Sequence, residues 1–223
     1  MNSPAVIGLG KGGYNCQLVI ELDDAMSRDQ IYREQQNLIE NFRFDGGVAN
    51  VFQDMIQRSV PGYGMVVSLT GVLAEQYLQP GSRGYDLGSS LGASTLAMSG
   101  VAKDRECQLV AIDSSEAMIG KCRQNLEHSN QISTVELRCE DVRDTIIDDA
   151  SLVVMNFTLQ FIPQQEREQM LRGVAAGIRP GGAFMLSEKI CFEDEQQQKR
   201  MEQLHHAFKC ANGYSEMEIS QKR

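Results

Sequence analysis

Along the chain the spacing of apolar positions switches between a strand-like and a helix-like period. From about residue 83 onward, short apolar runs alternate with longer segments of helical spacing. Tyr85-Asp86-Leu87 closes a first strand, followed by a Gly/Ser turn and a helix over 95–101. Gln108-Leu109-Val110-Ala111-Ile112 is a second strand, stopped by Asp113. Ser115 is placed to cap the next helix, whose Ala117, Met118, Cys122 and Leu126 recur near the 3.6-residue period. Residues 134–139 alternate as a third strand, and Ser151-Leu152-Val153-Val154-Met155 is apolar enough to be a fourth strand buried on both faces. Residues 164–177 read as a helix with Met170, Leu171 and Val174 on one face, Pro180-Gly181-Gly182 as a turn, and 183–187 as a fifth strand. Strands separated by helices predict an α/β fold with a parallel, doubly wound sheet.

Upstream, residues 47–79 read as helical with a break at Pro61-Gly62, and Val66, Val67, Leu69, Val72, Leu73 and Leu78 are expected to face the sheet or a partner chain. Downstream, 193–209 reads as a polar helix. The expected organisation is an extension over 1–25, a helical N-terminal segment over 26–79 and an α/β domain over 80–223.

At 223 residues the chain is long enough for one domain with a full core and short for two. The formal net charge is −9, with no run of Lys and Arg, which argues against direct nucleic-acid binding. The six cysteines, at 16, 107, 122, 139, 191 and 210, form no Cys-x-x-Cys pair and are expected to be reduced, core-filling thiols. No apolar run approaches the ~18 residues of a membrane span, and the N-terminus lacks a basic region followed by a long apolar one. No membrane association and a cytoplasmic location are therefore expected.

Two glycine-rich turns compete for the role of cofactor cradle. Gly8-Leu9-Gly10-Lys11-Gly12-Gly13 fits the dinucleotide pattern, but only Ala5-Val6-Ile7 precedes it and Gln17 to Leu22 reads as strand, so the strand–turn–helix context is missing. Asp86-Leu87-Gly88-Ser89-Ser90-Leu91-Gly92 sits correctly, between the first strand and its helix. Gly88 lets the backbone turn sharply, and Gly92 permits close helix packing. Asp113 closes the second strand, where a carboxylate can accept both hydroxyl protons of a ribose or simply offset a helix N-terminus. Asp141-Val142 follows the third strand, where an acid and a backbone amide can hold an adenine edge. Asn156 ends the fourth strand, either at the reacting end of a ligand or as a turn residue. Three such strand ends on one edge of a sheet point together to a nucleoside-type cofactor. His205-His206 are neighbours on a helix, about 100° apart around its axis, and chelate poorly together; no metal is expected. No Gly-x-Ser-x-Gly elbow is present.

Four strings carry a family resemblance: Val51-Phe52-Gln53-Asp54-Met55-Ile56-Gln57-Arg58-Ser59-Val60-Pro61-Gly62-Tyr63, Tyr85-Asp86-Leu87-Gly88-Ser89-Ser90-Leu91-Gly92-Ala93, Asn156-Phe157-Thr158-Leu159-Gln160-Phe161, and the segment from Ala211-Asn212-Gly213-Tyr214 to Arg223. They resemble the carboxy-S-adenosyl-L-methionine synthases, members of the class I S-adenosylmethionine-dependent methyltransferase superfamily. The likeness runs from about Met26 to the last residue. It implies a Rossmann-like methyltransferase sheet. It also implies conversion of S-adenosyl-L-methionine and prephenate into carboxy-S-adenosyl-L-methionine and phenylpyruvate, with the product passed to an enzyme that modifies the tRNA wobble uridine. It implies a homodimer. By matching position it assigns Tyr63, Gly88, Ser89, Ser90, Asp113, Ser114, Asp141, Val142, Asn156 and Arg223 to the cofactor site, and no catalytic base. The family pattern has Cys at 89 and Asn at 114, where this chain has Ser, a residue that keeps hydrogen-bonding ability. The family pattern also continues past Arg223 through a further helix and two strands, so C-terminal strands are expected to be missing here, leaving the fifth strand as an apolar edge. Residues 1–25 match nothing in the family, and the expected family start is Met26-Ser27-Arg28-Asp29. The other readings are a methyltransferase acting on a small molecule and a non-catalytic nucleoside-binding module. Arg223 separates the first of these from a synthase, because a plain methyl group gives a guanidinium nothing to hold.

Overall fold

The computed structural model describes residues 28–31 and 44–221. The extension over 1–25, its glycine motif, Cys16 and Arg223 lie outside the described residues.

Five parallel strands form one sheet in the order β3-β2-β1-β4-β5. They are β1 (Arg83–Leu87), β2 (Gln108–Asp113), β3 (Val135–Cys139), β4 (Ala150–Asn156) and β5 (Ile178–Ser187). Parallel pairing requires a crossover between successive strands. Here α3 (Ala93–Asp104), α4 (Glu116–His128) and α5 (Gln164–Gly177) provide crossovers, with β3 joined to β4 by a loop. Among the described residues two helices precede the sheet, α1 (Gly46–Ser59) and α2 (Tyr63–Tyr77), and two follow it, α6 (Glu195–Ala211) and α7 (Glu216–Gln221). Among the described residues no helix is long and apolar enough to cross a membrane.

The core divides by strand alternation, since successive side chains point to opposite faces. Tyr85, Leu87, Val110, Ile112, Val153 and Met155 bury one face beneath Met170 and Val174 of α5. Leu109, Leu152, Val154 and Met185 bury the other beneath Ala74 and Leu78 at the end of α2 and Met98 and Ala102 of α3. Helix α2 is therefore part of the main core. Its Val67 and Leu78 are buried, and Val66 and Leu73 pack partly, but Leu69 and Val72 remain 47% and 44% exposed. The six apolar positions of 66–78 thus split between the core and an open face.

Two expectations are corrected, and one element went unread. Pro180-Gly181-Gly182 is not a turn between elements: β5 starts directly after α5, and the register jumps from Ala150↔Ile178 to Leu152↔Ala183. The surplus residues bulge out of the strand while pairing continues on both sides. Of the described cysteines only Cys107 and Cys122 are buried; Cys139 and Cys191 are exposed and Cys210 is intermediate. Finally, α7 was not read from the sequence, because six residues offer too short a window for a helical period.

Candidate cofactor-binding site

The strand order reverses at β1, with β2 and β3 to one side and β4 and β5 to the other. In open parallel sheets the crevice above that switch point, at the carboxyl ends of the strands, is where ligands bind. A cavity of about 360 Å³ lies there. It is within the size range of small-molecule sites.

The floor is the turn between β1 and α3. Both Gly88 N and Ser89 N donate to Ile112 O, at 2.9 and 2.8 Å, which holds the turn against β2. Gly88 has φ +84°, and a Cβ there would overlap the Thr158 side chain. Gly92 has φ +83°, and a Cβ would come within 2.6 Å of Cys122 Sγ on α4. Both glycines are thus fixed by backbone conformation and by close neighbours. Ser90, with φ +51°, donates its amide to Asp113 Oδ2 at 2.9 Å, and Ser115 N donates to Asp113 Oδ1 at 2.9 Å. Asp113 therefore ties the glycine turn to the start of α4 with both carboxylate oxygens. Each oxygen keeps a further lone pair for a ligand hydroxyl. Ser115 caps α4 as expected, accepting from Met118 N at 3.2 Å.

Asp141 is held by Arg143, which donates Nε to Oδ1 at 2.9 Å and Nη2 to Oδ2 at 2.7 Å. Val142 beside it is buried. Asn156 ends β4 with Nδ2 donating to Ser94 Oγ at 3.0 Å, while its Oδ1 is buried and has no hydrogen-bond partner. Ser89 Oγ is a second buried acceptor without a partner of good geometry, and the nearby Cys122 thiol is a weak substitute. Unpaired buried acceptors are costly and call for a ligand group or water. Tyr63 opens α2 directly after Gly62, and burial pushes its hydroxyl up to about 12, with nearby Asp86 acting in the same direction. Tyr63 is thus a neutral donor across the physiological range. An aromatic wall closes one side, where Phe44 meets Phe161 edge-on at 5.3 Å and Phe52 at 6.0 Å.

Tyr63, Gly88, Ser89, Ser90, Asp113, Ser114, Asp141, Val142 and Asn156 all line this one cavity. Sequence reasoning missed Phe44, Phe52, Arg143, Phe161 and Lys209, which line it too. Phe161 lay in a quoted string, but a lone aromatic beyond a strand end carries no spacing signal. His205 and His206 diverge, as their neighbouring positions require. His205 Nε2 lies 2.8 Å from Ser59 O, whereas His206 turns away to Cys210 and Glu216.

Asp86 was also missed. It is buried within β1 beneath the glycine turn, and accepts from Thr95 Oγ1 at 2.6 Å. Its charge beside the apolar Tyr85 and Leu87 of β1 was the available signal. Burial pushes its carboxyl up to about 6, and the Thr95 bonds resist that rise. The folded chain therefore keeps a proton that the unfolded chain releases. The associated stability is complete below pH about 4 and is lost as pH rises through about 6. Asp86→Asn should flatten this part of the curve, as measured by urea unfolding at a series of pH values. Parallel curves for the two proteins would contradict the assignment.

A methyltransferase-domain family profile matches residues 85–182, which span the sheet from β1 into β5. The carboxy-S-adenosyl-L-methionine synthase of Shewanella piezotolerans is 47% identical over 88% of this chain and 81% of its own length. That of Shewanella baltica is 48% identical over 89% of this chain and 82% of its own. Among solved structures, one from Methanococcus maripaludis, described as an S-adenosyl-L-methionine-dependent methyltransferase, aligns with a TM-score of 0.52 at 17% identity. The alignment covers 74% of this chain and 72% of that one, and carries the fold alone.

Proposed function

The chain belongs to the carboxy-S-adenosyl-L-methionine synthase family, enzymes of the S-adenosyl-L-methionine-dependent methyltransferase superfamily, and we propose that it makes carboxy-S-adenosyl-L-methionine from S-adenosyl-L-methionine and prephenate. The second product is phenylpyruvate. In this scheme the prephenate carboxyl leaves as carbon dioxide and the ring hydroxyl as hydroxide as the ring aromatises. Hydroxide takes one proton of the sulfonium methyl group and becomes water, and the methyl carbon bonds to the carbon dioxide. Atoms and charges balance without a protein base. The protein's part is to orient the ligands and exclude water.

The observation that carries this reading is the set of donors and acceptors on one cavity. We assign Asp113 to the ribose hydroxyls, and Asp141 with Val142 N to the adenine edge. Asn156 Oδ1, buried and unpaired, is an acceptor for the positively charged methionine end. The aromatic wall supports the dryness that the scheme needs. We assign the finer roles in the same way: a cytoplasmic homodimer whose product supplies a separate tRNA wobble-uridine enzyme. Neither the charge of −9 nor the composition favours a direct grip on tRNA.

Mass spectrometry of the ligand retained on purification tests the reading. Carboxylated cofactor is the expected result. Retention of plain S-adenosyl-L-methionine alone, with methyl transfer to a small acceptor, would contradict it.

Arg223 is proposed to select the carboxylated form, since a planar guanidinium grips a carboxylate with two parallel hydrogen bonds. Truncating one member of a buried charged pair costs ~2–5 kcal/mol. Arg223→Leu should then lower affinity for carboxy-S-adenosyl-L-methionine by roughly thirtyfold or more, and leave S-adenosyl-L-methionine nearly untouched. Equal weakening of both in calorimetry would make Arg223 a general support instead.

A further inference from the structure

Away from the cofactor cavity, α6 and α7 bring together three side chains that the reaction does not use. His206 and Cys210 lie four positions apart on α6, so they share one face of the helix. The chain then turns through Asn212-Gly213 and enters α7, whose first residue, Glu216, comes back to that face. His206 Nε2 lies 2.8 Å from Glu216 Oε2, Cys210 Sγ lies 3.7 Å from Glu216 Oε1, and Cys210 Sγ lies 3.8 Å from His206 Nδ1. One ligand atom from each residue can be chosen so that all three fall within 4.8 Å of one another. None of the three lines the cofactor cavity.

We propose that His206, Cys210 and Glu216 bind a single zinc-class divalent ion that clamps α7 onto α6. His206 turns Nδ1 toward Cys210 and Nε2 toward Glu216, and a single ion takes one of these nitrogens with Cys210 Sγ and one Glu216 oxygen. Zinc bonds of about 2.3 Å to sulfur and about 2.0–2.2 Å to nitrogen and oxygen set tetrahedral ligand atoms roughly 3.3–3.6 Å apart. With one donor atom taken from each residue the three lie within 4.8 Å of one another, so side-chain rotations that move each atom by about an ångström close them onto one ion. The donor set selects the metal as well. Thiolate with imidazole suits zinc and its transition-metal neighbours, whereas magnesium and calcium take oxygen ligands. The site is open to solvent on the Glu216 side, with 79% of that side chain exposed, so water takes the fourth position. The Cys210 thiol gives up its proton on binding, so affinity rises with pH.

The consequence is mechanical. The clamped turn carries Asn212, whose carbonyl accepts from Arg58 Nε at 2.7 Å, and Tyr214, which donates to Asp29 Oδ2 at 2.6 Å. Metal binding therefore stabilises the attachment of the C-terminal helices to α1 without entering the reaction. The competing account is a plain His206–Glu216 ion pair with a thiol beside it.

The test titrates the reduced full chain with Co2+ and then Zn2+. A single equivalent of Co2+ should produce a thiolate-to-cobalt charge-transfer band, which Zn2+ then bleaches, and Zn2+ should raise the melting temperature. Cys210→Ser should remove the band and the thermal shift, and His206→Ala should weaken Zn2+ binding by tenfold or more. The exposed-thiol control Cys139→Ser should leave the band, the thermal shift and the Zn2+ affinity unchanged. Melting of the metal-free variants within about a degree or two of the metal-free parent establishes that they fold. No band, or a band that survives Cys210→Ser, overturns the proposal.

Discussion

Asp113→Ala should weaken S-adenosyl-L-methionine binding by well over tenfold. The carboxylate offers two charge-assisted hydrogen bonds to the ribose, each about 1.5–3 kcal/mol before desolvation, and about 1.4 kcal/mol is a factor of ten. The same oxygens accept Ser90 N and Ser115 N, both at 2.9 Å, so the substitution also loosens the glycine turn. An analogue lacking both ribose hydroxyls separates the two effects. If Asp113 holds the ribose, the variant's deficit should shrink several-fold for that analogue. If Asp113 only braces the turn, the deficit is the same for both ligands, and the ribose assignment is wrong. Calorimetry with the two ligands decides between them.

Arg58→Met should cost far more stability than the same change at an exposed arginine. Arg58 is the last basic residue of α1, and its side chain is only 12% exposed. It donates Nε to Asn212 O at 2.7 Å and Nη1 to Asp54 Oδ2 at 3.0 Å, and its guanidinium lies 3.9 Å above the Tyr214 ring. Asp54 Oδ2 also accepts Asp29 N at 2.8 Å, and Asp29 is buried. Methionine keeps the apolar stem and removes the charge, leaving Asp54 without its cation. Breaking such a pair costs about 3 kcal/mol at the lower end of the range for buried pairs, or roughly 6–12 °C in a chain of this size. Arg172 supplies the control. It pairs with Glu168 on α5 with both side chains more than three-quarters exposed, and Arg172→Met should change stability by less than ~0.5 kcal/mol. Equal thermal shifts for the two variants would contradict the network.

Most of the sheet was legible because buried parallel strands leave continuous apolar runs. Residues 108–112 and 151–155 have no other reading beside periodic helices, and the structure extends each by a residue or two. The glycine turn was placed by its context, with a strand before it and a helix after it. The bulge in β5 was not legible, since Pro180-Gly181-Gly182 reads the same whether the chain leaves the sheet or bows out and returns. The network of Asp29, Asp54, Arg58 and Tyr214 was also hidden, because it joins positions up to 185 residues apart and each member alone looks like a solvated polar residue. The pairing of His206 with Cys210 was available as a four-residue spacing, but a single His/Cys pair is too common on a polar helix to signal a site, and Glu216 joins them only through the turn after α6.

The central claim is that this chain carboxylates its cofactor with carbon taken from prephenate. The most direct measurement incubates it with S-adenosyl-L-methionine and prephenate carrying heavy carbon in the ring carboxyl group, and follows products by mass spectrometry. The expected products are phenylpyruvate and a cofactor heavier by one carbon dioxide, bearing the heavy carbon. S-adenosyl-L-homocysteine with a methylated acceptor, or a carboxylated cofactor without the label, would contradict it.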